Sequence, residues 1–200
     1  MCGRMTLTLP EFEQVLAILG VKDGPPYRPR YNVAPTDAHP LLIHDGARRL
    51  VQGRWGMGPR RAINARAETA GRTHTFRTAS RCVVPADGFY EWDSVTRVPR
   101  WFHAAGPLLF LAGLRAEDRT FAVLTVPANA LVGAVHDRMP AILHPDEVDA
   151  WLTGESVGLG PAPDGALLAH DVDARVGNVR NDDPACIAPR APPRQRTLFD

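Results

Sequence analysis

The chain opens Met1-Cys2-Gly3-Arg4, and its chemistry starts there. Residue 2 is small, so Met1 is expected to be removed in the cell, leaving Cys2 with a free α-amine beside its thiol. An α-amine titrates near pH ~8 and a cysteine thiol near ~8.5, so part of each group is nucleophilic at neutral pH. With an aldehyde, such a 1,2-aminothiol forms a Schiff base that the sulfur closes into a five-membered thiazolidine. With an ester or amide, the thiol can act instead as an N-terminal nucleophile with the amine as base. A chain terminus is frayed unless tied down, so Cys2 by itself decides nothing.

Three internal blocks carry further reactive types. Asn64-Ala65-Arg66-Ala67-Glu68-Thr69 places an amide and a guanidinium two residues apart. Asp87-Gly88-Phe89-Tyr90-Glu91-Trp92 sets Glu91 between two aromatic residues, where desolvation raises a carboxyl pKa and suits it to general acid or base work. His136-Asp137-Arg138-Met139-Pro140 puts a titratable imidazole beside an acid and an arginine. Taken singly, each has an ordinary alternative: Asn64 as a helix cap, Glu91 as a surface carboxylate, His136 as a capped core histidine. Their joint occurrence with an N-terminal cysteine favours chemistry.

These residues must be positioned by the elements between them. Phe12, Val15, Leu16 and Leu19 fall at helical spacing and predict an amphipathic helix over Pro10 to Leu19. Tyr31 to Pro35 reads as extended. Leu41 to His44 and Arg49 to Trp55 flank Asp45-Gly46 and predict a β-hairpin. Ala62 to Gly71 reads as a short helix. Arg81 to Pro85, Phe89 to Trp92, Arg100 to His103, Leu108 to Leu114 and Thr120 to Val126 are short branched or aromatic runs between turn signals, hence strands. Pro127 to Val135 and Pro145 to Leu152 read as helical. The fold class is therefore α+β: a mainly antiparallel β core with peripheral helices.

Composition narrows the function classes. With 200 residues, 44% hydrophobic, the chain can bury one sizeable core. Its three cysteines (Cys2, Cys82 and Cys186) are an odd set without metal-ligand spacing, which points away from a disulfide scaffold and toward a reducing, cytoplasmic setting. The aldehyde chemistry of a 1,2-aminothiol is expected to need no metal or organic cofactor. Glu11, Glu13 and Gln14 interrupt the first apolar run, so no signal or membrane span is expected there. The net charge is only +1, yet nine arginines between Arg48 and Arg81 face one acid, Glu68. Arginine's planar fork suits phosphate, although arginine is also abundant throughout the chain.

The blocks also occur in a telling order. Met-Cys-Gly-Arg, Tyr31-Asn32-Val33-Ala34-Pro35-Thr36, Arg54-Trp55-Gly56, Asn64 to Thr69, Arg81-Cys82-Val83-Val84-Pro85-Ala86-Asp87 to Trp92, and His136 to Pro140 resemble the SOS response-associated peptidase family, the SRAP domain, over residues 2–188. The resemblance implies a DNA-repair protein, monomeric, that captures abasic sites in single-stranded DNA as a thiazolidine crosslink through Cys2. It implies Cys2, Asn64, Glu91 and His136 as active-site residues, and Arg4, Arg66 and Arg138 as phosphate contacts. Trp55 is read as the exposed aromatic placed to stack on a base, against the alternative of a tryptophan buried in the β core. The connection from Glu68 to Arg81 is short for the family, so a smaller DNA-contacting loop is expected there.

Rival classes remain at this stage: an N-terminal-nucleophile thiol hydrolase or amidotransferase acting on amides, an autopeptidase acting on its own N-terminus, and a non-covalent single-strand binder. Residues 189–200 read as a proline- and arginine-rich tail. Within it Gln195, Leu198 and Phe199 are similar to the short peptides by which bacterial repair proteins dock on the replication sliding clamp; the alternative is that they fold back on the domain.

Overall fold

A computed structural model describes residues 2–190. Its strands are β1 (Met5–Leu7), β2 (Arg30–Val33), β3 (Ala38–His44), β4 (Arg48–Trp55), β5 (Asn64–Arg66), β6 (Ser80–Ala86), β7 (Gly88–Trp92), β8 (Pro99–Ala104), β9 (Leu109–Arg115), β10 (Thr120–Pro127), β11 (Arg138–Pro140), β12 (Ile142–Leu143) and β13 (Leu167–Asp171). The helices are α1 (Phe12–Leu19), α2 (Ala130–Gly133) and α3 (Val148–Thr153).

The predicted hairpin forms as β3–β4, with Leu41 opposite Val51 and Leu42 opposite Leu50. Its turn needs Gly46, whose φ of 72° lies in the left-handed region. The strands then sort into two sheets. One runs β13-β8-β7-β1-β2. The other runs β11-β10-β4-β3-β6-β9-β12, and a further β10–β9 pairing closes β4, β3, β6, β9 and β10 into a ring. Most pairings are antiparallel; among the described strands only β10 has parallel partners, β4 and β5. Leu111, Val83, Val84, Phe121, Phe89 and Phe102 lie in one buried cluster that spans both sheets.

Strand β7 shows how alternation builds the site. Successive side chains on a strand point to opposite faces. Phe89 packs in the main core, whereas Tyr90 lies with Val172, Val176 and Cys186 in a second cluster flanked by Trp92 and Trp101. Glu91 therefore shares the inner face with Phe89. Gly88 is required because a Cβ there would fall 2.2 Å from the Trp101 indole nitrogen and 2.8 Å from the Phe102 carbonyl oxygen.

The structure corrects several local expectations. Ala62 to Gly71 is not a helix: Asn64 to Arg66 form β5, paired with Val123 to Thr125, and only Ala70–Arg72 make a 3-10 turn. Alanine, arginine and glutamate favour helix weakly, and the ladder bonds offered by β10 outweigh a preference of a few tenths of a kcal/mol per residue. Between Pro127 and Val135 only one helical turn forms, capped by Asn129, whose side-chain oxygen accepts from the Val132 N–H at 3.0 Å. β13 was not anticipated. After residue 188 the exposed chain stays attached to β13: Pro189 bridges Val172, and the Arg190 N–H donates to the Asp171 carbonyl at 2.8 Å.

Candidate active site

The segment behind Cys2 is held on every side. In β1, Met5 pairs with Val33 on one edge and Phe89 on the other. The Tyr90 N–H donates to the Arg4 carbonyl and the Asp87 N–H to the Thr6 carbonyl, each at 3.0 Å. Asp87 in turn accepts from the Thr6 hydroxyl and from both the N–H and hydroxyl of Thr8. So the Asp of the Asp87-to-Trp92 block is an anchor for β1. Cys2 is 0% exposed, its sulfur 3.6 Å from the Arg4 carbonyl oxygen.

Two of the expected partners, Asn64 and Glu91, meet Cys2, and His136 lies near enough to Glu91 to act on its charge. Asn64 enters from β5, and its side-chain N–H donates to the Cys2 carbonyl at 2.7 Å. Asn64 Oδ1 is buried and has no hydrogen-bond partner among the described residues. Glu91 enters from β7 at 4% exposure. Burial pushes its carboxyl above the ordinary range, Asp137 adds to the rise, and the positive charge of His136 opposes it. The aromatic neighbours invoked from sequence are not the cause, because Tyr90 and Trp92 face the opposite side of β7. Burial first, and then the Glu91 charge, push the Cys2 thiol well above its usual value.

His136 follows α2, where its N–H donates to the Val132 carbonyl at 2.9 Å. Its Nδ1 lies 3.0 Å from both the Arg138 backbone nitrogen and Asp137 Oδ1. As a neutral ring Nδ1 accepts from Arg138; as imidazolium it donates to Asp137. Both protonation states thus find a partner, as a proton-transfer group needs.

The arginines differ among themselves. Arg66 is exposed on β5, and its side chain makes no hydrogen bond among the described residues. Arg138, on β11, is mostly buried: it binds both carboxylate oxygens of Glu68 at 2.7 and 2.9 Å and also donates to the Thr125 carbonyl. Arg4 is engaged by the Asn32 side-chain oxygen at 2.9 Å and the Val176 carbonyl at 2.8 Å, and sits over the Trp92 ring. Arg4 therefore joins the N-terminus to the C-terminal segment. Trp55 corrects the expectation of an exposed stacking residue: it is 0% exposed, donates to the Ile63 carbonyl at 2.8 Å and lies parallel to Phe121.

Sequence reasoning missed the role of Glu68, although its place as the lone acid in the arginine-rich run was the available signal. It also missed Asn32, whose side-chain amide donates to the carbonyls of Val176 and Asn181. Residues 191–200, including Gln195, Leu198 and Phe199, lie outside the described residues. No helix among the described residues is long and apolar enough to cross a membrane.

The chain is similar in sequence and in fold to known proteins. The chain is 33% identical to the abasic site processing protein YoqW of Bacillus subtilis, over 94% of this chain and 99% of that protein. It is 35% identical to YoaM, an abasic site processing protein of the same organism, over 86% and 88% of the two chains. A crystal structure of a Bacteroides thetaiotaomicron protein shares the fold, with a TM-score of 0.81 at 20% identity, covering 95% of this chain and all of that one. The family model described as SOS response associated peptidase (SRAP) matches residues 1–179, and the chain belongs to that family.

Proposed function

We propose that this protein captures abasic sites in single-stranded DNA as a thiazolidine crosslink on Cys2 once Met1 is removed. The relatives named abasic site processing proteins supply the lesion class. The observation that carries the reading is the fixed N-terminus: the Cys2 carbonyl is held by Asn64, and the Cys2 sulfur lies near enough to buried Glu91 to feel its charge.

The chemistry follows from this placement. An abasic deoxyribose is in equilibrium with its open aldehyde. His136 moves the proton of the sugar's hemiacetal hydroxyl to the ring oxygen, which opens the ring. The Cys2 amine adds to the aldehyde carbon to give a carbinolamine. Glu91, which burial favours in its protonated form, gives its proton to the departing hydroxyl; water leaves and the iminium forms, its nitrogen keeping one proton. The sulfur then bonds to the iminium carbon, and the thiol proton passes to the Glu91 carboxylate, which restores its acid form. One water is lost overall and no strand bond breaks. Asn64 restrains the N-terminus near its attack geometry, while Arg66 and Arg138 hold phosphates beside the lesion.

The same N-terminus is the place for an autopeptidase step, in which water cleaves the Met1–Cys2 bond and supplies the amine. Gln195, Leu198 and Phe199 are assigned to sliding-clamp docking, which would raise the local concentration of the protein at replication forks without altering the chemistry.

Intact mass after mixing the processed protein with an oligonucleotide carrying one abasic site tests the reading. The expected adduct is the sum of the two masses less one water, located on Cys2. Cys2→Ser should keep a hydride-trappable Schiff base but form no ring, and an unprocessed, tagged N-terminus should do neither. Equal crosslinking by tagged and processed protein would overturn the proposal.

A further inference from the structure

The ion pair between Glu68 and Arg138 has a geometry that bears on DNA selection. β5 and β11 flank the C-terminal half of β10, with Arg66 opposite Thr125 on one edge and Arg138 opposite Pro127 on the other. The Arg138 side chain reaches across β10, where its Nη2 donates to the Thr125 carbonyl, and its two terminal nitrogens meet the carboxylate of Glu68. The arginine side chain is 10% exposed and the glutamate 47%. Its Nε is buried, with no hydrogen-bond partner among the described residues. The bidentate end of the guanidinium, the face through which arginine grips a phosphate, is therefore covered by a carboxylate.

We propose that Glu68 is a placeholder for a DNA phosphate on Arg138: strand entry replaces the carboxylate, so every strand must displace Glu68 before gaining that contact. The inference rests on the DNA reading above and adds a specificity-determining residue to it. The exchange has room to occur. Glu68 borders an open hollow of about 270 Å³ lined also by Ala67, Val126, Val157 and Leu159, into which the side chain can swing. The pairing also holds the Glu68 carboxyl well below its usual range, to about 2, so the gate stays charged at any physiological pH and opens by competition alone.

The consequence is a lower affinity for undamaged strands than the arginines would otherwise give. In the free protein Glu68 neutralises one cation of the groove, and on exchange its released carboxylate stays near the incoming phosphate. An abasic strand recovers this cost through the covalent bond at Cys2, whereas an undamaged strand dissociates.

The experiment is anisotropy of a fluorescein-labelled, undamaged oligothymidine with the full chain across a salt series, using Glu68→Gln, Arg138→Gln, the double variant and Arg66→Ala. Glu68→Gln should bind about fivefold tighter, the upper range for one exposed charge pair. The slope of log affinity against log salt should change by less than about 0.7, the value for a whole phosphate contact on a single strand, because Arg138 ends on a phosphate in both proteins. In the Arg138→Gln background the Glu68→Gln gain should vanish. Glu68→Asp, which keeps the charge but shortens the reach, should also bind tighter, and it serves if Glu68→Gln melts below the assay temperature. Unchanged or weaker binding by both Glu68 variants would overturn the exchange, as would an equal gain in the Arg138→Gln background, which would mark a bulk charge effect. If Arg66→Ala and Arg138→Gln leave strand binding untouched, the DNA reading itself fails; if Arg66→Ala weakens binding while the Glu68 variants gain nothing, only the exchange does.

Discussion

Asn64→Ala separates a positioned N-terminus from one that merely lies nearby. The substitution removes the 2.7 Å hydrogen bond to the Cys2 carbonyl and the buried Oδ1 that has no partner among the described residues. A neutral hydrogen bond contributes about 1 kcal/mol net, which as lost restraint on the attacking residue slows crosslinking about fivefold. If Oδ1 accepts from the Cys2 amine or a sugar hydroxyl during reaction, a second loss of similar size brings the total to roughly 30-fold. Stability should change far less. β1 keeps its pairings with β2 and β7, so the orphaned Cys2 carbonyl should lower Tm by only about 2–4 °C. The assay is a single-turnover time course of adduct formation by intact mass at saturating abasic oligonucleotide, with Tm measured on the same samples. A rate within twofold of the unsubstituted protein would refute the positioning argument. A Tm loss several times larger would make Asn64 a structural residue.

Glu91→Gln should slow crosslinking about 100-fold, the usual scale for a lost acid–base group. Because burial raises the folded-state pKa of Glu91 above its ordinary 4.5, the folded protein holds that proton more tightly than the unfolded chain does. Stability should therefore fall as pH rises from about 4.5 through the folded value, and thermal melts across pH should show this slope in the parent but not in Glu91→Gln. Trp55→Ala should cost about 3–5 kcal/mol as a buried large-to-small change, a Tm loss near 10 °C; an unchanged melt with weakened strand binding would restore the stacking role. Peptide 189–200 should bind purified sliding clamp by calorimetry, and Leu198→Ala with Phe199→Ala should abolish it; absence of binding by both peptide and full chain sinks the docking assignment.

Much of this protein was legible in the order of its short blocks. Met-Cys-Gly-Arg followed by the Asn64, Glu91 and His136 blocks identified the family, and alternation between turn signals identified the β3–β4 hairpin and most of the central strands. These are local properties: a turn glycine or a branched run acts through its immediate neighbours. What only the tertiary structure decided depends on partners distant in sequence. Asn64 to Arg66 became a strand because β10, some sixty residues later, offers its edge. Trp55 went inside because Phe121 and Ile63 complete its pocket. Glu91 is desolvated by the inner face of β7, opposite the aromatic neighbours that flank it in sequence. Arg138 was legible as an arginine that could hold phosphate, but the Glu68 carboxylate that covers it lies 70 residues away, and no pattern of types along the chain encodes which charge meets which.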